Sequence, residues 1–197
     1  QRFLEKATLK APYLFSIITY GRWACNIVEW WNDFALSHGV RFNYITTILM
    51  VDNYLPVFDM AEEMKMDKRE DEQIAQAVAD VAAKKDYIPV LSDEERKRCE
   101  AVLAHLTPIL PVRSETLFRL RPDRCVDCCF CTRVCPRQCI SLTSRGITFE
   151  GDCEYCLACI QNCPQNAIEL IHGERNPEAR YRNPNISINA IVRANRQ

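Results

Sequence analysis

Ten of the chain's twelve cysteines lie between Cys125 and Cys163, and only Cys25 and Cys99 stand apart. Most of the ten belong to two runs offset by 28 residues. The first has Cys125, Cys128, Cys131 and Cys135 followed by Pro136. The second has Cys153, Cys156, Cys159 and Cys163 followed by Pro164. Both therefore read C-x-x-C-x-x-C-x-x-x-C-P. Disulfide scaffolds spread their cysteines over the loops they staple, whereas crowding at i, i+3 and i+6 suits a shared metal centre in a reducing compartment. Zinc sites made of four cysteines usually join two distant C-x-x-C pairs. A triplet with a remote Cys-Pro, present twice, points instead to two 4Fe–4S clusters held by soft thiolate donors.

The reason for the spacing is reach. Three cysteines on a tightly turning loop converge on three corners of one iron–sulfur cube. The fourth sits past the loop, where it is expected to start a helix directed at the other half, and in the bacterial two-cluster arrangement it ligates the other cluster. The first cluster is thus assigned Cys125, Cys128, Cys131 and Cys163, and the second Cys153, Cys156, Cys159 and Cys135. Pro136 and Pro164 fix φ and turn the chain away after each ligand. Crossed ligation would couple metal binding to folding. Cys129 and Cys139 lie beside these ligands. They read as small apolar neighbours of the clusters, or as alternate ligands or a redox-sensitive pair. Cys99 falls on an apolar helix face and reads as core. Cys25 lies in the loop after the first strand, where a cofactor could sit, and reads first as a packing residue.

The elements that position these residues differ along the chain. Tyr13 to Tyr20 is a nearly continuous apolar run ending at Gly21, the pattern of a strand buried on both faces of a parallel sheet. Ile27, Trp30, Trp31, Phe34 and Ala35 recur at helical spacing before Gly39, a C-cap signal, with His38 at the helix end. Phe42 to Val51 reads as a second strand, broken by Asp52-Asn53-Tyr54-Leu55-Pro56. An amphipathic helix follows over 70–85, with Ile74, Ala77, Val78, Val81 and Ala82 on its apolar face. Strand, helix, strand, helix implies a right-handed α/β unit. Two strands and two helices cannot cover such a sheet. Residues 1–88 therefore read as the second half of a doubly wound domain, and the helix-like start Gln1 to Lys6 suggests that the chain begins mid-domain. Ser92-Asp93-Glu94-Glu95 is a capping box opening a helix whose apolar face is Cys99, Val102, Leu103 and Leu106. Pro108 and Pro111 then start a linker, so 89–117 is a helical linker. The cysteine-rich domain spans 118–172, and its duplication implies a pseudo-twofold fold. A basic tail, 173–197, closes the chain.

The net charge of −1 excludes a strong pull on nucleic acid or membrane, and no apolar run is long enough to span a bilayer. Residues 60–100 carry 12 acids and 8 bases, and 173–197 carry 2 acids and 5 bases. The acids read as solvated helix faces. Arg175, Arg180, Arg182, Arg193 and Arg196 read as a solvated tail or a dock for an acidic partner. His38, His105 and His172 have no metal-ligand spacing. A cytoplasmic setting is expected.

The duplicated runs resemble bacterial two-cluster ferredoxins over 118–172. The wider chain resembles a fusion family in which a flavodoxin-type domain precedes such a ferredoxin (EFR-type ferredoxins, or iron–sulfur flavoproteins). That resemblance rests on Arg2-Phe3-Leu4-Glu5-Lys6, Thr19-Tyr20-Gly21, Asp52 to Pro56, and Arg180-Tyr181-Arg182-Asn183-Pro184. It implies the C-terminal half of a flavodoxin-like domain, a fold of class α/β plus α+β. It also implies that Thr19, Tyr20, Gly21, Trp23 and Tyr54 face a flavin. The Ser/Thr/Gly-rich phosphate loop of that family is not found in 1–197, so FMN is expected only with the missing N-terminal half.

The leading expectation is electron transfer through two 4Fe–4S clusters, relaying to or from a flavin domain or a partner oxidoreductase. No catalytic constellation is read, so an electron carrier is favoured over a stand-alone enzyme. The alternatives are an iron–sulfur flavoenzyme reducing a small substrate, and a binding or regulatory protein whose clusters only staple the fold.

Overall fold

A computed structural model describes residues 3–104 and 112–195. It is a mixed α/β chain with four two-stranded sheets and seven helices among the described residues. Leu106, Pro108, Pro111 and His105 lie outside them, as do Gln1, Arg2 and Arg196. In chain order the elements begin β1 Phe15–Tyr20, α1 Ile27–Ser37, β2 Tyr44–Leu49, α2 Met60–Glu63, α3 Glu70–Ala82 and α4 Asp93–Leu103. They continue β3 Val112–Arg113, a 3-10 turn Ser114–Thr116, β4 Phe118–Leu120, α5 Phe130–Val134, β5 Ile140–Thr143 and β6 Gly146–Phe149. The last are β7 Asp152–Cys153, α6 Ala158–Gln161, β8 Ile168–Leu170 and α7 Ile188–Ala194. Two compact units result. The first comprises 1–52 and 67–107, the second 53–66 and 108–197.

In the first unit β1 and β2 pair in parallel from Phe15↔Tyr44 to Tyr20↔Leu49. The connection between them is α1, as parallel pairing requires. The α1 face packs on the sheet around Val28, Ala35, Val40, Phe42 and Ile45. Trp31 Nε1 donates to Ser16 Oγ at 3.0 Å. Gly39, at φ +74, terminates the helix in the left-handed region. Two expectations are corrected. β1 is not buried on both faces, because it pairs with one strand only and alternates, leaving Phe15 and Ile17 exposed. α3 forms, but only Ala77 of its apolar face is buried, and Val78 is 60 % exposed. Its docking is polar: Gln73 Oε1 accepts from Leu49 N at 2.9 Å, and Tyr44 Oη donates to Asp80 at 3.0 Å. The capping box at Ser92 and Glu95 opens α4 as expected.

The second unit is built from two similar halves. β4, a cysteine loop, α5 and β5 form one; β6, a cysteine loop, α6 and β8 form the other. Strand pairing crosses between them. β4 of the first half pairs with β8 of the second (Phe118↔Leu170), and β6 of the second pairs with β5 of the first (Ile140↔Phe149). The 28-residue repeat reaches the backbone: left-handed φ values recur at Asp127 and Tyr155, Cys129 and Leu157, and Gln138 and Asn166. None of these is glycine, so the tight turns are enforced at a cost on the order of 1 kcal/mol each. Phe118, Val134, Ile147, Ile160, Ile168 and Leu170 are buried between the halves.

Residues 53–66, grouped by sequence with 1–88, belong to this second unit. Leu55 and Met60 are fully buried. Arg175 N donates to Leu55 O at 2.8 Å, and Asn176 Nδ2 to both Asp59 carboxylate oxygens at 2.9 and 3.0 Å. Nor is all of 173–195 solvated. The Arg180 side chain is 5 % exposed and pairs at 2.8 Å with Glu174, itself 2 % exposed, while α7 packs on α5.

Candidate metal centre

Each cysteine run wraps into a loop with two left-handed residues and then a short helix, which brings sequence-distant thiols together. One cavity of the second unit is lined by Cys125, Cys128, Cys131 and Cys163, with Cys129 alongside. Leu120, Phe130, Ile147 and Ile168 supply its apolar wall. The cavity is narrow, about 20 Å3. The three leading cysteines of the first run thus meet the last cysteine of the second. Cys159 lies within electrostatic range of Cys156, Cys153 and Cys135, and also of Cys131 of the first set.

Position relative to the helices differs from expectation. Cys135 is the C-cap of α5, and Cys163 follows the end of α6, so each helix precedes its fourth cysteine. The short helix carries the chain across to the other half, which is why the crossing occurs at its end.

Burial dominates the electrostatics. It pushes the Cys131 thiol up to about 12 and holds Cys159 well above the ordinary thiol range, with neighbouring thiolates adding to both. Such thiols give up their protons only to a strongly cationic group. Backbone amides already point at the sulfurs. Tyr155 N donates to Cys153 Sγ and Ala167 N to Cys163 Sγ, each at 3.2 Å. Among the described residues no group of three or more His, Cys, Asp or Glu side chains is arranged to hold a single metal ion.

The extra thiols take different places. Cys139 is buried with its Sγ 3.5 Å from Cys135 Sγ. Cys129 starts α5 in a left-handed conformation, its Sγ 3.3 Å from Asp127 O.

Several residues near the second set carried no signal in the sequence. Gln161 is buried on α6, where its Oε1 accepts from Tyr181 N at 2.7 Å and its Nε2 donates to Asn53 O at 3.4 Å. It pins Asn53 and Tyr181 to α6. Tyr155 packs edge-on to Tyr54, ring centroids 5.8 Å apart, and burial raises its phenol to about 12. Arg180 Nη1 bonds to Ala179 O at 2.9 Å. Arg180 pairs with Glu174 Oε2 at 2.8 Å as an ion pair, and its Nε and Nη2 have no hydrogen-bond partner.

Of the five residues expected at a flavin, the structure gathers three. Thr19, Tyr20 and Trp23 line a cavity of the first unit together with Cys25, Ile27, Trp30, Val102 and Leu103. Gly21 is not in that lining. A Cβ there would lie 2.4 Å from the Asp52 carboxylate, so the glycine serves a close approach. Tyr54 belongs to the second unit, where its ring packs against Tyr155.

No helix among the described residues is long and apolar enough to cross a membrane. Compared with known proteins, no protein-family model matches the chain and no curated protein matches it in sequence.

Proposed function

We propose that the second unit is an electron-transfer module of the bacterial two-cluster ferredoxin type. Cys125, Cys128, Cys131 and Cys163 would hold one 4Fe–4S cluster, and Cys153, Cys156, Cys159 and Cys135 the other. The observation that carries this reading is the crossed set of thiols around one cavity, three from one run and one from the other. A single tetrahedral ion with thiolates at about 2.3 Å needs its sulfurs about 3.8 Å apart. A cube presents its irons at separate corners, so thiols spread around a cavity suit it better. The narrowness of the space means that seating a cube moves these side chains outward, which ties loading to the packing of the unit. When bound, each cluster supplies one-electron transfer. The chain's own contribution is to exclude water with Leu120, Ile147 and Ile168 and to aim amides at the sulfurs, which sets the potential.

Anaerobic loading with iron and sulfide tests this. The reading expects eight irons and eight sulfides per chain by ligand count, with reversible one-electron reduction seen by paramagnetic resonance. Zinc without sulfide contradicts it. Clusters that load but resist reversible reduction favour the stapling alternative.

A second reading follows the first unit's cavity. Thr19, Tyr20 and Trp23, which line it, would receive a flavin ring and join two-electron chemistry to a one-electron relay. Flavin titration followed by quenching of tryptophan emission tests it. Emission unchanged in the presence of flavin rules the site out for this chain.

A further inference from the structure

Cys25 and Cys99 are the two cysteines outside the runs, and the fold brings them together. Cys25 sits between β1 and α1 with φ +46, a left-handed conformation uncommon for a residue with a side chain. Cys99 lies on α4, 74 positions later by number. Val102 and Leu103, one turn further along α4, line one cavity together with Cys25, which brings the Cys99 turn of α4 up to the Cys25 loop, and Cys99 is the neighbour that acts on the Cys25 thiol. The approach is held from outside the pair. Arg96, three residues before Cys99, forks onto Glu29 of α1 at 2.8 and 2.9 Å, and Leu91 N donates to the same carboxylate at 3.2 Å. These bonds fix α4 against α1, the helix that begins two residues after Cys25.

The two thiols differ in access. Cys25 is partly exposed and lines the cavity bounded by Trp23, Trp30, Val102 and Leu103. Cys99 is buried. An accessible thiol backed by a buried one is the geometry of an attacking and a resolving cysteine. Simple packing would not require either the cavity or the pairing.

We propose that Cys25 and Cys99 form a dithiol–disulfide redox site whose oxidant is a low-molecular-weight disulfide. Cys25, deprotonated, attacks one sulfur of the small disulfide; that S–S bond breaks, and the departing thiolate takes up a proton. Cys99, deprotonated in turn, attacks the Cys25 sulfur and releases the second small thiol. One protein disulfide forms, the small disulfide is reduced to two thiols, and two electrons pass from protein to oxidant. Burial pushes the Cys25 thiol up to about 11, so the thiolate fraction is small and exchange is slow at neutral pH. The product would tie α4 covalently to the loop after β1. The site lies wholly within the first unit and does not depend on the cluster reading.

The test uses the full chain treated with oxidised glutathione under anaerobic conditions, then alkylation and peptide mapping. The proposal expects a Cys25–Cys99 crosslinked peptide pair as the main product at these two positions, reversed by dithiothreitol. In Cys99→Ser the mixed disulfide of Cys25 with glutathione should accumulate, while in Cys25→Ser position 99 should stay reduced. Two freely alkylated thiols in the treated wild type, a persistent mixed disulfide there, or pairing of Cys25 with a different cysteine would each overturn it. Cluster content measured on the same samples reports on the other unit, so failure of one reading is separable from failure of the other.

Discussion

The grouping of 53–66 with the cysteine unit has a measurable consequence at Leu55. Its side chain is fully buried, and its carbonyl accepts from Arg175 N. Leu55→Ala removes a buried isobutyl group from a segment held by the Tyr54–Tyr155 contact and the Gln161 bond to Asn53 O. Buried leucine truncations cost about 2–5 kcal/mol. Because the neighbouring main-chain bonds hold the segment and limit collapse, about 3 kcal/mol is expected. For a unit on the order of 100 residues, each kcal/mol moves the midpoint by about 4–8 °C, so a fall of about 12–24 °C follows. Val57→Ala, two residues on and 55 % exposed, is the control and should change stability by less than about 0.5 kcal/mol. The assay is denaturant unfolding with unit-resolved readouts. All three tryptophans, Trp23, Trp30 and Trp31, lie in the first unit, so their emission reports on it. Hydrogen exchange of peptides from 112–195 reports on the second. The exchange readout should shift in Leu55→Ala while the tryptophan midpoint stays put. A loss confined to tryptophan emission, or equal effects of Leu55→Ala and Val57→Ala, would refute the grouping.

Two further outcomes follow from ion pairs. The Arg96 hydrogen bond holds the Glu29 carboxyl below its ordinary value, with Leu91 N adding to the effect and burial opposing it. A lowered carboxylate contributes stability that is fully present above its ordinary value and is lost as the pH falls through the folded value. Protection of α4 amides should therefore fall in acid, and Glu29→Gln should be less protected at neutral pH with a flatter acid profile; an unchanged profile would show that the pair does not anchor α4. Arg180→Met leaves Glu174 buried without its cation and should cost about 3–5 kcal/mol by denaturant unfolding, much of it recovered in Arg180→Met/Glu174→Gln. A cost below about 1 kcal/mol for Arg180→Met would mean that the pair is solvated.

Local signals in the sequence carried far in some places. The 28-residue repeat reappears as matched left-handed residues, such as Asp127 with Tyr155, because identical cysteine spacing goes with identical turns. Ser92 and Glu95 fixed the start of α4, since a capping box is a property of four neighbouring residues. The apolar run ending at Tyr20 and the aromatic run after Phe42 did become a parallel pair. What escaped depends on partners far along the chain. Leu55 and Met60 look like scattered apolar residues in a loop, and only the 173–176 segment shows why they are buried. Arg180 has the composition of a solvated tail but lies against Glu174. Ile74 and Val78 have helical spacing, yet the bonds that dock α3 run through Gln73 and Asp80. The convergence of Cys25 with Cys99 was equally invisible, because neither residue belongs to a local motif.

The central claim is the crossed ligation, and Cys163→Ser tests it most directly. After anaerobic loading with iron and sulfide, cysteines are alkylated under native conditions and mapped. The account predicts about half the wild-type iron, with Cys125, Cys128 and Cys131 newly alkylated while Cys153, Cys156, Cys159 and Cys135 stay protected. Loss of protection at Cys153, Cys156 and Cys159, with the first run still protected, would contradict it.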